Sequence, residues 1–166
     1  MAQVLNERMS VAIEGDFVVF LIGMRVNKPW KIHRWLPVFT AMPSMLAELS
    51  KKPELGLLGY RLVLGSDGPT VIQYWRSVEQ LQAYARADGS AHLPAWRKFR
   101  ASVGDSGDVG IWHETYLVGE GRYEAIYANM PRVGLATAGE HVPVAQLGNT
   151  AARRLGHTST PAPVAD

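Results

Sequence analysis

The chain has 166 residues, 47% of them apolar, no cysteine, and a formal net charge of +2, which is enough for one hydrophobic core. Without cysteine there are no disulfides, thiolate nucleophiles or Cys-bound metal centres, and the composition fits a cytoplasmic protein. The positive excess is small, with RKFR at 97–100 its densest cluster, and it lacks the basic stripe with stacking aromatics that nucleic-acid binding needs.

The opening MAQVLNERMS is polar and lacks the apolar centre of a secretory signal. The longest apolar run, FVVFLIGM, falls far short of the ~20 residues of a membrane span. Neither a membrane nor a nucleic acid is therefore expected as a partner. Residues 16–26, DFVVFLIGMRV, read as a strand that is apolar on both faces. Phe17, Val19, Leu21 and Arg25 share one face, and Val18, Phe20, Ile22 and Met24 the other. NKPW makes a loop. Residues 31–50 carry Trp35, Phe39, Met42, Leu46 and Leu49 at the helix period, with Pro37 in the first turns and Pro43 inside, where a kink is expected.

LLGYRLVLG, 57–65, is a second strand, and SDG with Pro69 predicts a hairpin into a third strand, TVIQYWR, 70–76. Ser77 is a helix N-cap, with Gln80 at the capping-box position. That helix runs to about Arg86, breaks at ADGS, and resumes from His92 to about Val103. VGIWHETYLV, 109–118, is a fourth strand. YEAIYANM, 123–130, is a fifth strand or an extended arm. Beyond Pro131 the pattern fades, and the small, polar, proline-containing stretch from about 148 reads as a flexible tail. The expected organisation is one domain over 1–147 and a tail over 148–166.

The order β–α–β–β–α–β plus a last strand is an α+β, ferredoxin-like plan, with helices on one face of an antiparallel sheet. Strands apolar on both faces need cover on the second face too. A second copy packed sheet to sheet would supply it, closing a dimeric α/β barrel.

Several residues stand out as candidate chemistry. Gln73 and Trp75 share a strand face with Val71, opposite Ile72 and Tyr74; they line a pocket or simply pack. His92, after the helix break, is a general base, a haem ligand, or a helix-start residue. His113 shares its strand face with Ile111 and Thr115, whereas Trp112, Glu114 and Tyr116 take the other, so His113 and Glu114 cannot form a metal pair. Arg25 holds a substrate anion or emerges at its strand end. Tyr127 and Asn129 line a pocket mouth or meet a partner subunit. No phosphate-cradling glycine loop is present, so neither a bound nucleotide nor flavin is expected.

VIQYWRSVEQLQAY…GSAHLPAWRKF resembles the dimeric α/β-barrel superfamily that includes the antibiotic-biosynthesis monooxygenases of secondary metabolism. Gln73, Trp75 and His92 match places of that pattern, while Tyr84 stands where many members carry an earlier histidine. The blocks HRWLPVFTAMPSML, PELGLLGYR, IQYWRS, AHLPAWRKF, VGIWHETY and YEAIYANMPRVGL are similar, in the same order, to the fumagillin-biosynthesis-type monooxygenase-like family over about 14–136. The resemblance implies a homodimer whose Gln73/Trp75 face looks into the barrel. It also implies a monooxygenase-like enzyme acting on a small, mostly apolar organic molecule. Cofactor-free members let a deprotonated, electron-rich substrate meet oxygen directly. In that reading His92 is the catalytic base or anion partner. Gln73, Trp75, Arg25, His113, Tyr127 and Asn129 then contact substrate. Haem-dependent aldoxime dehydratases are distant relatives, so a haem held by His92 or His113 stays open. A non-catalytic ligand-binding or structural dimer stays open as well.

Overall fold

Residues 17–26 form a strand because β-branched and aromatic side chains alternate without a breaker, and around that strand the larger of two compact units is built. The computed structural model describes residues 3–87 and 92–156, except the side chains of residues 92, 94, 95, 98 and 102. The chain divides into one unit over 17–117 and a second made from the segments flanking it.

The larger unit contains β2 (Phe17–Val26), α1 (Ile32–Lys51), β3 (Leu57–Gly65), β4 (Gly68–Trp75), α2 (Val78–Arg86), α3 (His92–Ser102) and β5 (Val109–Val118). Its sheet order is β3-β4-β2-β5, with β2 and β3 both antiparallel to β4. That is the ferredoxin-like arrangement the element order implied. Register runs Val18↔Trp75 through Gly23↔Thr70 between β2 and β4, and Tyr60↔Gln73 and Leu62↔Val71 between β3 and β4. Gly65 pairs with Gly68 across a two-residue turn of Ser66 and Asp67, as the SDG signal implied. Ser77 caps α2 by accepting from the Gln80 N–H at 3.2 Å. The reciprocal half of the capping box is not made. Gln80 instead donates its side-chain amide to the Glu54 carbonyl at 3.2 Å, tying α2 to the turn before β3.

Helices cover one face of this sheet. Trp75, Val18, Leu49 of α1 and Tyr84 of α2 form a buried cluster, and Met24, Val103 and Val109 form another. On the opposite face Trp112 lies over Gly23, where an added Cβ would come within 2.5 Å of the indole. The loop before α1 is anchored by Asp108. Its carbonyl accepts from the Asn27 N–H at 3.0 Å, and its buried carboxylate meets Lys28 at 2.8 Å and Lys31 at 3.0 Å. Hydrogen bonds from the two ammonium groups hold the Asp108 carboxyl down to about 2.

The second unit departs from the sequence expectation. The polar N-terminal stretch forms β1 (Leu5–Ala12), flanked by β6 (Tyr127–Met130) and β7 (Glu140–Pro143), both antiparallel to it. The expected strand at 123–130 is therefore shorter and pairs with the N-terminal strand, outside the ferredoxin-like sheet. The Tyr123 hydroxyl accepts from the Ile13 N–H at 2.6 Å, and Ser10 Oγ donates to the Ala125 carbonyl at 2.8 Å. After β7 come the short helices α4 (Val144–Leu147) and α5 (Ala151–Arg154). Residues 148–156, expected as part of a tail, carry α5 and a nearly buried Arg154 whose Nε donates to Glu124 at 2.8 Å. Composition missed this because a single long-range ion pair and a Thr150 cap leave no periodic apolar signature. Residues 157–166 lie outside the described residues.

Candidate functional site

Between the helices and the helix-facing side of the larger sheet lies a cavity of about 1020 Å³. Period-two alternation brings Phe20, Ile22 and Met24 of β2, Val71 of β4, and Ile111, His113 and Thr115 of β5 onto its floor. The helix period brings Met42, Met45 and Leu46 of α1, Leu81 of α2 and Phe99 of α3 onto its roof. Both prolines of α1 also face it. Proline adds apolar surface there without an N–H that would need a partner.

The corner that carries Gln73 and Trp75 sits differently from the sequence expectation. Both lie on the helix-covered face, and Ile72 and Tyr74 lie on the other. Trp75 is 1% exposed and 5.9 Å from the Tyr84 ring. Its indole N–H donates to Gln73 Oε1 at 2.8 Å. The Gln73 amide N–H points to Met42 Sδ at 4.0 Å, a weak interaction. Neither residue is on the cavity wall: the Gln73 carbonyl takes up the Trp75 N–H beneath Met42. Tyr84 donates its hydroxyl to Glu48 at 3.2 Å, and burial first, then the Glu48 carboxylate, pushes its ionisation upward. It is a core residue.

Arg25 is exposed on the outer face and pairs with Asp67 of the β3–β4 turn at 2.7 Å. It has emerged at its strand end and does not reach the cavity lining. Tyr127 and Asn129 belong to β6 of the second unit. The Tyr127 hydroxyl accepts from the Ala136 N–H at 3.2 Å and its ring meets His141 edge-on, while Asn129 takes a left-handed conformation with φ 54°. They are not part of this cavity. α3 begins at His92, whose side chain is outside the described residues; Trp96 and Phe99 of the same helix line the cavity and stack at 5.4 Å.

His113 is the predicted residue that the structure brings to the wall. Its ring lies 5.6 Å from Phe20. Other polar residues on the wall went unnoticed in the sequence, Tyr60, Gln82 and Trp96, while Thr115 lies beside His113 as its strand face implied. The alternation of Tyr60 with Leu62 along β3 was the available signal. His113 has no hydrogen-bond partner among the described residues and is exposed. No group of three metal-ligating side chains is gathered among the described residues. Nor, among them, is any helix long and apolar enough to cross a membrane.

The monooxygenase af470-like family matches residues 17–135, which contain every element lining the cavity. Monooxygenase af470 of Aspergillus fumigatus is 31% identical over 126 residues, covering 70% of this chain and 44% of that protein. The chain thus spans less than half the length of this relative. Among solved structures, the fold is similar to SnoaB, a cofactor-independent oxygenase from Streptomyces nogalater (TM-score 0.43, 16% identity, 61% of this chain and 91% of that one). It is also similar to a dimeric ferredoxin-like protein of unknown function from Jannaschia sp. CCS1 (TM-score 0.43, 18% identity, 59% and 97%). The match over residues 17–135, with the relative that shares it, places this chain in the monooxygenase af470-like family.

Proposed function

We propose that the chain is a monooxygenase that holds a small, mostly apolar organic molecule in the 1020 Å³ cavity and exposes it, deprotonated, to dioxygen. The observation that carries this reading is the cavity itself, lined mostly by apolar side chains from elements within the family match. Ligand pockets usually measure about 300–1,000 Å³, so there is room for a molecule of several rings or a long chain. A ligand that fills the cavity displaces water from these apolar walls and so strengthens each polar interaction it makes there. Conversion of a CH₂ to a carbonyl balances with dioxygen alone: four electrons leave the carbon, one oxygen atom stays on it, and the other departs as water. No flavin or nucleotide is needed for that balance.

The protein's part is a base, a dry enclosure, and donors for the developing anion. His92 keeps the proposed role of base or anion partner on its resemblance alone. Gln73 and Trp75 become supports of the cavity floor beneath Met42. We further propose that two copies pack through the outer faces of their larger sheets. Val19, Leu21, Ile72 and Trp112 are only half-buried there.

The test is to incubate the protein under ¹⁸O₂ with a panel of apolar phenols, enols and activated methylene compounds and to follow products by mass spectrometry. One ¹⁸O atom should appear in product without added flavin, nicotinamide or metal. Panel members that bind with no oxygen incorporated would instead mark a ligand-binding protein.

A further inference from the structure

The floor of the cavity arranges its polar groups in a way that limits what can bind. In the order β3-β4-β2-β5, Tyr60 lies on one edge strand and His113 and Thr115 on the other. Between them the floor is Val71, Phe20 and Ile22. Strands lie about 4.8 Å apart, so three intervals separate the edges by about 14 Å. Gln73 would interrupt this apolar stretch, but its amide is turned to Trp75 and covered by Met42. The remaining amide on the wall, Gln82, has its Oε1 occupied by the Arg86 guanidinium at 3.3 Å.

No Asp, Glu, Lys or Arg is among the described residues of the wall. A permanently charged ligand would therefore find no fixed counter-charge among these residues. The hydroxyls of Tyr60 and Thr115 donate and accept hydrogen bonds. His113 brings to the wall an imidazole, the side-chain type suited to general acid–base work. No hydrogen bond among the described residues occupies its nitrogens, so both are available to a ligand. The Phe20 ring, 5.6 Å away, presents a π system to the imidazole once it is protonated.

We infer that His113 is a catalytic base, and that the substrate is a neutral, elongated apolar molecule with one weakly acidic O–H or activated C–H held against β5. This rests on the oxygenase reading above. In the step assigned here, the substrate's O–H or C–H bond breaks, an N–H bond forms on the imidazole, and the electron pair stays on the substrate. An imidazolium–anion pair results, so the cavity remains neutral overall while the substrate becomes electron-rich. No oxidant takes part in this step. A substrate that arrived as an anion would bind imidazolium and leave the site without a base. Neutrality of the substrate is thus part of the mechanism. Tyr60, about 14 Å across the floor, would meet a second oxygen at the far end of a matching molecule.

The test uses the full chain with 4-nitrophenol, whose ionisation is visible in its absorption spectrum, and its methyl ether 4-nitroanisole, which cannot ionise. Binding is measured by equilibrium dialysis, and the ionisation of bound 4-nitrophenol by absorbance against pH. The proteins are wild type, His113→Ala and His113→Gln (which keeps polarity but takes no proton). 4-Nitroanisole should bind all three alike. Bound 4-nitrophenol should ionise about one pH unit below its free value in wild type. In both His113 variants it should ionise at or above the free value, because apolar walls then favour the neutral phenol. If His113→Gln keeps the wild-type shift, the inference is overturned while the cavity reading stands. If 4-nitroanisole fails to bind wild type, the cavity reading falls, and the inference with it.

Discussion

Replacing Gln73 with leucine separates a supporting role for this residue from a ligand-binding one. Gln73 is 5% exposed and Trp75 1%, and the bond between them is 2.8 Å. Leucine keeps much of the volume but removes the acceptor, leaving the Trp75 N–H buried. A buried donor left unpaired costs about 1–3 kcal/mol. The interaction of the Gln73 amide with Met42 Sδ is too long and too weak for its removal to add much. Leucine is also easier to bury than an amide, which returns part of the cost. A net loss of about 1–2 kcal/mol is expected, or roughly 2–4 °C in melting temperature per kcal/mol for a chain of this size. Removing both partners together should be less costly than the sum of the single changes, because no orphaned donor remains. The coupling in a cycle with Trp75→Phe should be about 0.5–3 kcal/mol. The assay is urea unfolding of wild type, both single variants and the double variant, with 4-nitroanisole affinity measured alongside. Affinity should hold in Gln73→Leu. Strictly additive stabilities, or a loss of affinity at unchanged stability, would refute the reasoning and put Gln73 on the cavity wall.

Two further outcomes follow from the geometry. The Asp108 carboxyl is held at about 2 by hydrogen bonds from Lys28 and Lys31, below the ordinary carboxylate value of about 3.9. Its contribution to stability is therefore complete above about pH 4 and is lost as pH falls through about 2. Acid unfolding followed by circular dichroism should show a flatter decline over that window in Asp108→Asn, and an identical profile would contradict the linkage. For the proposed packing of two sheets, light scattering at micromolar concentration should return twice the chain mass, and Ile72→Asp on the outer face should shift it toward the monomer. A monomeric wild type would remove the sheet-to-sheet interface.

Local pattern was enough for much of the larger unit. The strands at 57–65 and 109–118 appear with the bounds their composition implied, and the first helix is displaced by one residue. The Ser66–Asp67 turn and the Ser77 cap follow from short-range chemistry: a two-residue hairpin loop and a hydroxyl three residues before a free N–H. Such features depend on neighbours in the chain, so they can be read from it. The alternation that put His113 with Ile111 and Thr115 is of the same kind.

Which face of β4 meets the helices is a different matter. Val71, Gln73 and Trp75 alternate with Ile72 and Tyr74, and both sets are apolar or aromatic enough to be buried. Strand periodicity therefore could not choose between them; helix packing did, enclosing Trp75 with Leu49 and Tyr84. That choice moved Gln73 and Trp75 from the expected pocket wall to the layer beneath it. Arg25 likewise found Asp67 across a turn, forty-two residues away. The N-terminal strand was illegible because Asn6, Glu7 and Arg8 remain solvent-exposed and its partners lie more than a hundred residues further on. Sequence determines the elements where propensity and periodicity act within a few residues. The cavity and the place of His113 were decided by packing between elements distant in the chain, where only the folded structure brings the competing faces together.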